Sequence, residues 1–383
     1  MAARPILCLL GSKAFVGFRW SSVCVFGESG RRYETTVARK WTLAKQWEGE
    51  PQLSDFRVIE EPVTLSSNAK EILIEAIYLS VDPYMRIENI DMGATIMGEQ
   101  VARIKASNTP RFPTGGLVLA NVGWRTHTAV PDPDKEELFG PVVRPLPDFG
   151  GLSPSLAIGC LGMPGMTGYF GLLDRCQPQA GETVLVSGAA GAVGSIVGQV
   201  AKVQGCTVIG SAGSKEKCDW LQELGFDHVF NYKEKSVDEA LTEMAPDGVD
   251  IYFDNVGGDF TYDVMKSHMK FNGRIAICGA IAQYNAWERE RSTTMFIIDK
   301  QLNIKGVYVP AYNNRYYEFV AQMSQWIREG KLSTKKQSPM DLRTCRTLLC
   351  RFSEDRISGR LLSGLPNPTR TLRTTLNSQM AFV

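Results

Sequence analysis

Three glycines at regular spacing follow an apolar run in the middle of the chain. The run is Thr183–Ser187, and the glycines stand in Gly188-Ala-Ala-Gly191-Ala-Val-Gly194. Without side chains, a backbone can come close to a pyrophosphate, and a helix that begins here offers N–H groups and the positive end of its dipole. The order strand, glycine turn, helix, strand is the context in which such glycines bind a dinucleotide. The alternative is a tight strand-to-helix turn that binds nothing.

The end of the next predicted strand, Thr207–Ser211, bears on which nicotinamide cofactor binds. An NAD enzyme usually has Asp or Glu there, bonded to the ribose 2′-hydroxyl. This chain has Ser211–Gly213 instead, followed by Lys215 and Lys217. Hydroxyl and ammonium groups attract a 2′-phosphate, whereas a carboxylate repels it, so we predict NADPH. Glu216 should open the helix and point elsewhere. The alternative is that both lysines are simply solvated.

Three later strand ends should line the same crevice. Asn255-Val-Gly-Gly258 follows one predicted strand, Cys278–Tyr284 follows another, and Val307–Val309 ends the last. The small residues of the first two allow the close backbone approach that a nicotinamide and its ribose need.

The elements that must position these residues fall into two types. Short β-rich runs with Gly and Pro turns fill the first part, and apolar strands alternate with helices after about Ser153. The first pattern predicts an all-β, barrel-like domain and the second a doubly wound parallel sheet. We divide the chain into an N-terminal extension, a barrel domain, a dinucleotide-binding domain, a returning helix and an atypical tail: 1–37, 38–155, 156–312, 313–337 and 338–383.

Composition excludes several other classes of protein. The formal net charge is +1, which gives no field for nucleic acid or a membrane surface, and no apolar stretch is long enough to span a bilayer. Nine scattered cysteines and three distant histidines show no zinc-ligand spacing and predict reduced thiols. The basic composition of residues 1–37 suits a mitochondrial presequence, an unstructured extension or wrongly joined upstream sequence.

Seven strings carry a family resemblance. They are LSVDPYMR (79–86), MGEQVARI (97–104), GMPGMTGYFGLL (162–173), AAGAVGS (189–195), FNYK (230–233), FDNVGG (253–258) and GRIAICGAI (273–281). With these strings the chain resembles the zinc-independent medium-chain dehydrogenase/reductase superfamily, and within it the enone reductases. The resemblance implies a GroES-like β-barrel domain followed by a Rossmann domain, a homodimer and a cytoplasmic location, with mitochondria left open by the basic N-terminal segment.

The resemblance also implies the activity and the cofactor site. It implies NADPH-dependent reduction of the C=C bond in α,β-unsaturated ketones and aldehydes, such as 15-oxoprostaglandins and lipid-derived 2-alkenals. Carried over position by position, the cofactor residues are Gly191, Ala192, Val193, Gly194, Lys217, Tyr232, Asn255, Cys278, Gly279, Ala280, Ile281, Ala282, Gln283, Tyr284, Val307, Tyr308 and Val309. The expected partner is therefore a small-molecule enone or enal.

Reduction of an enone develops negative charge on the carbonyl oxygen, which a nearby hydroxyl stabilises. Tyr84 is our candidate for that catalytic hydroxyl and Tyr284 a weaker one, the alternative for each being a packed aromatic. Relatives have a tyrosine near the carbonyl where this chain has Asp299, and an ionised aspartate cannot donate a hydrogen bond. The tail after Lys335 also departs from the family. Two alternatives follow: an NADPH-binding homologue with impaired catalysis, and a quinone reductase.

Overall fold

A computed structural model describes residues 23–26, 32–66, 70–87, 89–137, 140–285 and 291–334. The first part of the chain forms two antiparallel sheets and a short hairpin. One sheet has the order β1-β2-β3, the other β10-β6-β5-β4-β7, and β8 pairs with β9. These strands are β1 (Val23–Phe26), β2 (Arg32–Leu43), β3 (Phe56–Thr64), β4 (Ile72–Leu79), β5 (Glu99–Ser107), β6 (Leu117–Asn121), β7 (His127–Val130), β8 (Glu136–Glu137), β9 (Gly140–Pro141) and β10 (Val143–Pro145).

The second strand corrects one predicted boundary. β2 runs from Arg32 to Leu43 and pairs with β3 from Thr35 opposite Thr64 to Leu43 opposite Phe56. The expectation of an extension up to residue 37 is therefore wrong for 32–37. The run of Tyr33, Thr35, Thr36 and Val37 has high strand propensity, and backbone pairing with β3 outweighs the basic composition. The predicted presequence otherwise lies mostly outside the described residues, as does the atypical tail 338–383.

The second part of the chain contains a six-stranded parallel sheet in the order β13-β12-β11-β14-β15-β16. The order reverses beside β11, which is the switch point where this class of sheet binds ligands. Apolar residues occupy the inner strands because helices cover both faces. The strands are β11 (Thr183–Val186), β12 (Thr207–Ala212), β13 (His228–Asn231), β14 (Val249–Asp254), β15 (Met269–Ile277) and β16 (Asn303–Gly306).

Seven α-helices are described around this sheet. They are α1 (Met163–Leu173), α2 (Ala192–Val203), α3 (Lys215–Glu223), α4 (Val237–Met244), α5 (Gly258–Asp263), α6 (Thr294–Lys300) and α7 (Tyr316–Arg328). The apolar pattern of residues 156–174 predicts one helix, but the structure divides this segment into a 3₁₀ turn at Pro154–Ile158 and α1. Gly162 and Pro164 explain the division, because a proline is accommodated in the first turn of a new helix. No helix in the described ranges is long and apolar enough to cross a membrane.

Two side-chain contacts join the two parts of the chain. The Arg86 Nε donates to Asn285 Oδ1 at 3.0 Å, which ties the barrel side to the loop after β15. The Arg328 guanidinium in α7 reaches the Phe149 carbonyl at 3.5 Å. Within the second part, the Ser333 N–H donates to Gln199 of α2 at 2.7 Å and holds the segment after α7 against that helix.

Candidate active site

A cavity of about 1020 Å³ lies between the two parts of the chain. Its walls come from the carboxyl ends of the parallel strands, from the antiparallel sheets, and from the turn that leads into α7. A cleft of this size is in the range of sites that enclose a cofactor or a small molecule. Apolar side chains from the barrel side and from α1 line part of it: Leu79, Leu119, Ile158, Met163 and Met166.

The glycine-rich turn between β11 and α2 forms one wall. Gly188 has φ +57°, a backbone conformation that favours glycine. A Cβ on Gly194 would lie 2.6 Å from the Gly188 carbonyl oxygen, so a side chain there would push the helix from the strand. α2 begins at Ala192 with Gly191 as its N-cap, and no side chain caps it. Its first N–H groups therefore face the cavity, where an anionic pyrophosphate would bind.

The end of β12 supplies groups that fit a 2′-phosphate. Ser211, Lys217 and Tyr232 line the cavity, and the buried Ser211 Oγ has no hydrogen-bond partner among the described residues. Ser214 caps α3 by accepting from the Lys217 N–H at 3.3 Å. Lys215, by contrast, is exposed and pairs with Asp219 at 2.6 Å. A hydroxyl in need of a partner beside a lysine suits NADPH, so the residues present fit this cofactor.

A buried carboxylate organises the adjacent strand end. Asp254 is 1% exposed, and no cation among the described side chains pairs with it. Its oxygens accept five hydrogen bonds, from Ser187 Oγ (3.1 Å), Tyr252 OH (2.8 Å), Thr261 Oγ1 (2.6 Å), and the N–H groups of Val256 (2.9 Å) and Gly257 (3.0 Å). The neighbouring Asn255 donates from Nδ2 to the Ser187 carbonyl at 2.8 Å. Asp254 thereby fixes the two strand ends between which the crevice opens.

Cys278 and Tyr284 line the cavity beyond β15. Burial raises the pKa of the Cys278 thiol to about 12, with a smaller contribution from the Asp254 charge. The Tyr284 hydroxyl accepts from the Ala280 N–H at 3.4 Å, and burial raises its pKa as well. Both groups are therefore protonated at neutral pH.

The barrel side contributes Tyr84, Asp82 and Glu99 to the cavity. Tyr84 is half-buried in a 3₁₀ turn at Pro83–Arg86. Ser80 lies beside both carboxyls, because its hydroxyl accepts from the Glu99 N–H at 3.0 Å and also bonds to Asp82. Burial raises the pKa of Asp82 to about 6 and that of Glu99 to about 7. Two carboxyls that titrate near neutral pH thus face the cavity.

The structure brings nearly all of the predicted site residues to this one cavity. Tyr84 and every predicted cofactor residue except Ala280 line it. Asp299 does not: it is exposed on α6 and lies outside the lining, so the expectation that this position faces the substrate carbonyl is not met. Sequence reasoning missed Glu99, Arg144 and Tyr316, which also line the cavity. Glu99 stands within the quoted MGEQVARI string, whereas no motif marks Arg144 or Tyr316.

The described part of the chain contains no group of three or more His, Cys, Asp or Glu residues that could hold a metal ion. His127 and His268 instead lie beside the carboxylates of Glu75 (3.7 Å) and Asp238 (2.8 Å).

Comparison with known proteins places this geometry in context. A family described as "Zinc-binding dehydrogenase" matches residues 192–325, and one described as "N-terminal domain of oxidoreductase" matches residues 39–138. Prostaglandin reductase 1 of Bos taurus is 48% identical over 303 residues, which is 77% of this chain and 89% of that protein. The NADP(+)-dependent 2-alkenal reductase of Nicotiana tabacum is 38% identical over 312 residues, covering 77% and 88%.

A solved structure is similar along most of both chains. CurA from Vibrio vulnificus in complex with NADPH superposes with a TM-score of 0.74 at 33% identity, covering 82% of this chain and 95% of CurA. Each of these proteins aligns across both the antiparallel sheets and the parallel sheet.

Proposed function

This chain belongs to the zinc-independent medium-chain dehydrogenase/reductase family, and on that premise we propose that it reduces the C=C bond of α,β-unsaturated ketones and aldehydes with NADPH. Its relatives include a prostaglandin reductase and a 2-alkenal reductase, and both names fit this activity. The observation that carries the proposal is the single cavity in which Tyr84 faces the predicted cofactor residues. We infer 15-oxoprostaglandins and lipid-derived 2-alkenals as substrates.

Residues at the ends of several parallel strands would bind the different parts of NADPH. Ser211, Lys217 and Tyr232 would hold the 2′-phosphate, and the turn at Gly191–Gly194 would hold the pyrophosphate. Asn255, Cys278 and Val307–Val309, which line the cavity across the switch point, would hold the nicotinamide half. The cofactor supplies the hydride, and the protein supplies position and electrostatics.

The substrate side of the cavity suits an apolar molecule that carries a carbonyl oxygen. Apolar side chains such as Leu119, Ile158 and Met166 exclude water from an alkyl tail. Tyr84 is the hydroxyl we assign to the carbonyl oxygen, where its O–H would stabilise the developing negative charge. The proton for the α-carbon then comes from this hydroxyl or from water.

Turnover by purified protein tests the proposal directly. NADPH consumption is followed at its absorption band with 15-oxoprostaglandin E2 and with 4-hydroxynon-2-enal, and no oxidation of NADPH with any enone would refute the activity. Replacing Tyr84 with Phe should lower kcat by about tenfold or more, because one oxyanion donor is lost. The matched control is Tyr317→Phe, since Tyr317 is exposed and outside the cavity.

The same assay separates two alternatives. If NADPH raises the melting temperature but no enone is consumed, the chain is a cofactor-binding homologue with impaired catalysis. If quinones are reduced faster than enones, it is a quinone reductase. The tyrosine in the cavity and the alkenal-reducing relatives favour enone reduction.

We also infer that two copies of this chain form a homodimer. β16 ends the described six-stranded sheet and is exposed at all four residues, so one of its backbone edges is unpaired there. Met295 and Ile298 on α6 are 61% and 60% exposed close by in sequence. A second copy would cover both features. Light scattering of the purified protein should give twice the mass of one chain. The variant Ile298→Lys should give a lower mass, because a charge in the interface weakens the dimer.

For location we propose the cytoplasm, with mitochondria as the alternative. Cys160, Cys176, Cys206, Cys218 and Cys278 are free thiols, which suits a reducing compartment. Fluorescent fusions with and without residues 1–31 test the choice. Mitochondrial fluorescence that depends on those residues would contradict a cytoplasmic location.

A further inference from the structure

Three polar side chains on the barrel side of the cavity come from three separate elements. Glu99 begins β5, Arg144 lies in β10 and Tyr316 begins α7, and all three line the cavity. The Arg144 guanidinium lies 4.6 Å from the centre of the Tyr316 ring. Because the elements are far apart in the chain, only the fold brings these side chains together.

The hydrogen-bonding capacity of this cluster is unused by the described residues. Only burial and the charges of Arg144 and Asp82 act on the Glu99 carboxyl, and no hydrogen bond to it contributes. The guanidinium of Arg144 makes its described contact with the Tyr316 ring face. The Tyr316 hydroxyl is buried and without a partner among the described residues. Glu99 and Arg144 are half-buried and line the cavity, so their polar atoms are open to a ligand there, beside the buried Tyr316 hydroxyl.

The donor and acceptor pattern specifies which chemical group would bind. Arg144 can only donate, whereas Glu99, whose pKa is about 7, accepts when it is ionised and donates when it is protonated. A carbonyl oxygen would pair with Arg144 but leave an ionised Glu99 without a donor. An ammonium would pair with Glu99 and face the cation of Arg144. A hydroxyl both accepts and donates, so it satisfies Arg144 together with either form of Glu99.

Charge argues against a carboxylate at the same place. Asp82 lies close enough to Glu99 for its charge to raise the pKa of Glu99, and both carboxyls line the cavity. One guanidinium therefore faces two carboxyls already, and a third carboxylate from the ligand would be repelled. A neutral hydroxyl adds no charge to the cluster.

We propose that Glu99 and Arg144, with the Tyr316 ring as the wall that positions the guanidinium, form a subsite that binds a hydroxyl group of the substrate. The subsite selects hydroxylated enals and enones over their unsubstituted counterparts and over those with a carboxylate in place of that hydroxyl. This assignment rests on the proposed enone reductase activity for its substrate class.

The first test compares paired substrates in one assay. The ratio of kcat/KM for 4-hydroxynon-2-enal to that for non-2-enal is measured in the wild type and in Arg144→Met. The ratio should fall about tenfold in the variant, as expected for the loss of a hydrogen bond to a charged group. Glu99→Gln should lower it about threefold, because an amide oxygen still accepts. The control is Arg103→Met, an exposed arginine of β5 outside the cavity.

A binding measurement separates failure of the subsite from failure of the activity. Octane-1,3-diol and octan-1-ol have no C=C bond to reduce, and calorimetry with NADP⁺ present compares their affinities. Tighter binding of the diol, lost in Arg144→Met, supports the subsite even if no enone is turned over. Equal affinities, or a substrate ratio that is unchanged in both variants, would overturn it. Melting curves with NADPH verify that each variant is folded.

Discussion

The Ser187 hydroxyl donates to the buried Asp254 carboxylate across 3.1 Å, which joins the end of β11 to the end of β14. The same hydroxyl accepts from the Asn255 N–H at 3.0 Å. Ser187 and Asp254 thus form a bridge beneath the point where the strand order reverses. Five donors thus satisfy the oxygens of this buried carboxyl group.

Replacing Asp254 with Asn should weaken this bridge. An amide group has one acceptor oxygen, so some of the five donors would lose their partner. We expect the free energy of unfolding to fall by about 2 kcal/mol. We also expect NADPH to bind about tenfold more weakly, since Asn255 and Gly257 would shift. Denaturant unfolding and calorimetric titration measure the two effects. Asp247→Asn, on an exposed turn, is the control, and equal effects of both variants would contradict the role of Asp254.

Lys217 and Lys215 provide a matched pair for cofactor choice. Lys217 lines the cavity, whereas Lys215 is exposed and paired with Asp219. Lys217→Met should raise the Kd for NADPH about tenfold and leave the Kd for NADH nearly unchanged, because only NADPH carries the 2′-phosphate. Lys215→Met should alter neither value. Fluorescence titration with both cofactors measures these Kd values. If Lys217→Met weakens the binding of NADPH and NADH equally, Lys217 does not contact the 2′-phosphate.

Gly194 and Gly306 differ in the space available for a side chain. A Cβ at Gly194 would lie 2.6 Å from the Gly188 carbonyl oxygen, whereas nothing lies within 4 Å of a Cβ at Gly306. Gly194→Ala should lower the free energy of unfolding by about 1–3 kcal/mol, in the range of overpacked sites. It should also reduce the rise in melting temperature caused by NADPH. Gly306→Ala should leave both unchanged, and a similar loss in both variants would contradict a steric cause.

Glu99 and Asp82 should make stability depend on pH in an unusual direction. The pKa of Glu99 rises from 4.5 to about 7 and that of Asp82 from 3.8 to about 6, so the folded state holds protons that the unfolded state has already lost. Stability is then highest below about pH 4.5 for these two groups and falls as pH rises through 7. Glu99→Gln should remove up to about 3 kcal/mol of that loss between pH 5 and pH 8.

Urea unfolding at several pH values measures this effect. The exposed carboxylate of Glu60 gives the control variant Glu60→Gln, which should retain the wild-type pH dependence. A wild-type stability that rises between pH 5 and pH 8, with no difference in Glu99→Gln, would contradict the raised pKa values.

The strands that carry the cofactor site were predictable because their signals are local. The buried run at Thr183, the glycines after it and the helix that begins at Ala192 lie next to one another in sequence. The alternation of apolar strands with helices also predicts a strand at His228–Asn231 and a helix at Val237–Met244, and both are confirmed with these boundaries. Gly162 and Pro164 divided a predicted helix because capping and proline geometry outweigh apolar continuity.

Features that depend on distant residues could not be predicted. Asp254 stands in a recognisable string, but its five donors come partly from β11 and from α5. Glu99, Arg144 and Tyr316 meet only after the antiparallel sheets pack against the start of α7. Asp299 was placed at the substrate by position along the chain, yet the side of α6 that carries it is exposed. The position of a residue along the sequence does not show whether it lies on the exposed or the buried face of a helix.

The buried thiol of Cys278 has a consequence for the survival of the enzyme. Enals alkylate thiolates, so a cavity that admits them exposes its own cysteine to attack. With a pKa of about 12, roughly one molecule in 10⁵ carries the thiolate at neutral pH. Burial also raises the pKa of the Cys176 and Cys206 thiols, to about 12 and about 11. Desolvation of the crevice therefore protects an enzyme that reduces electrophiles from being alkylated by its own substrate.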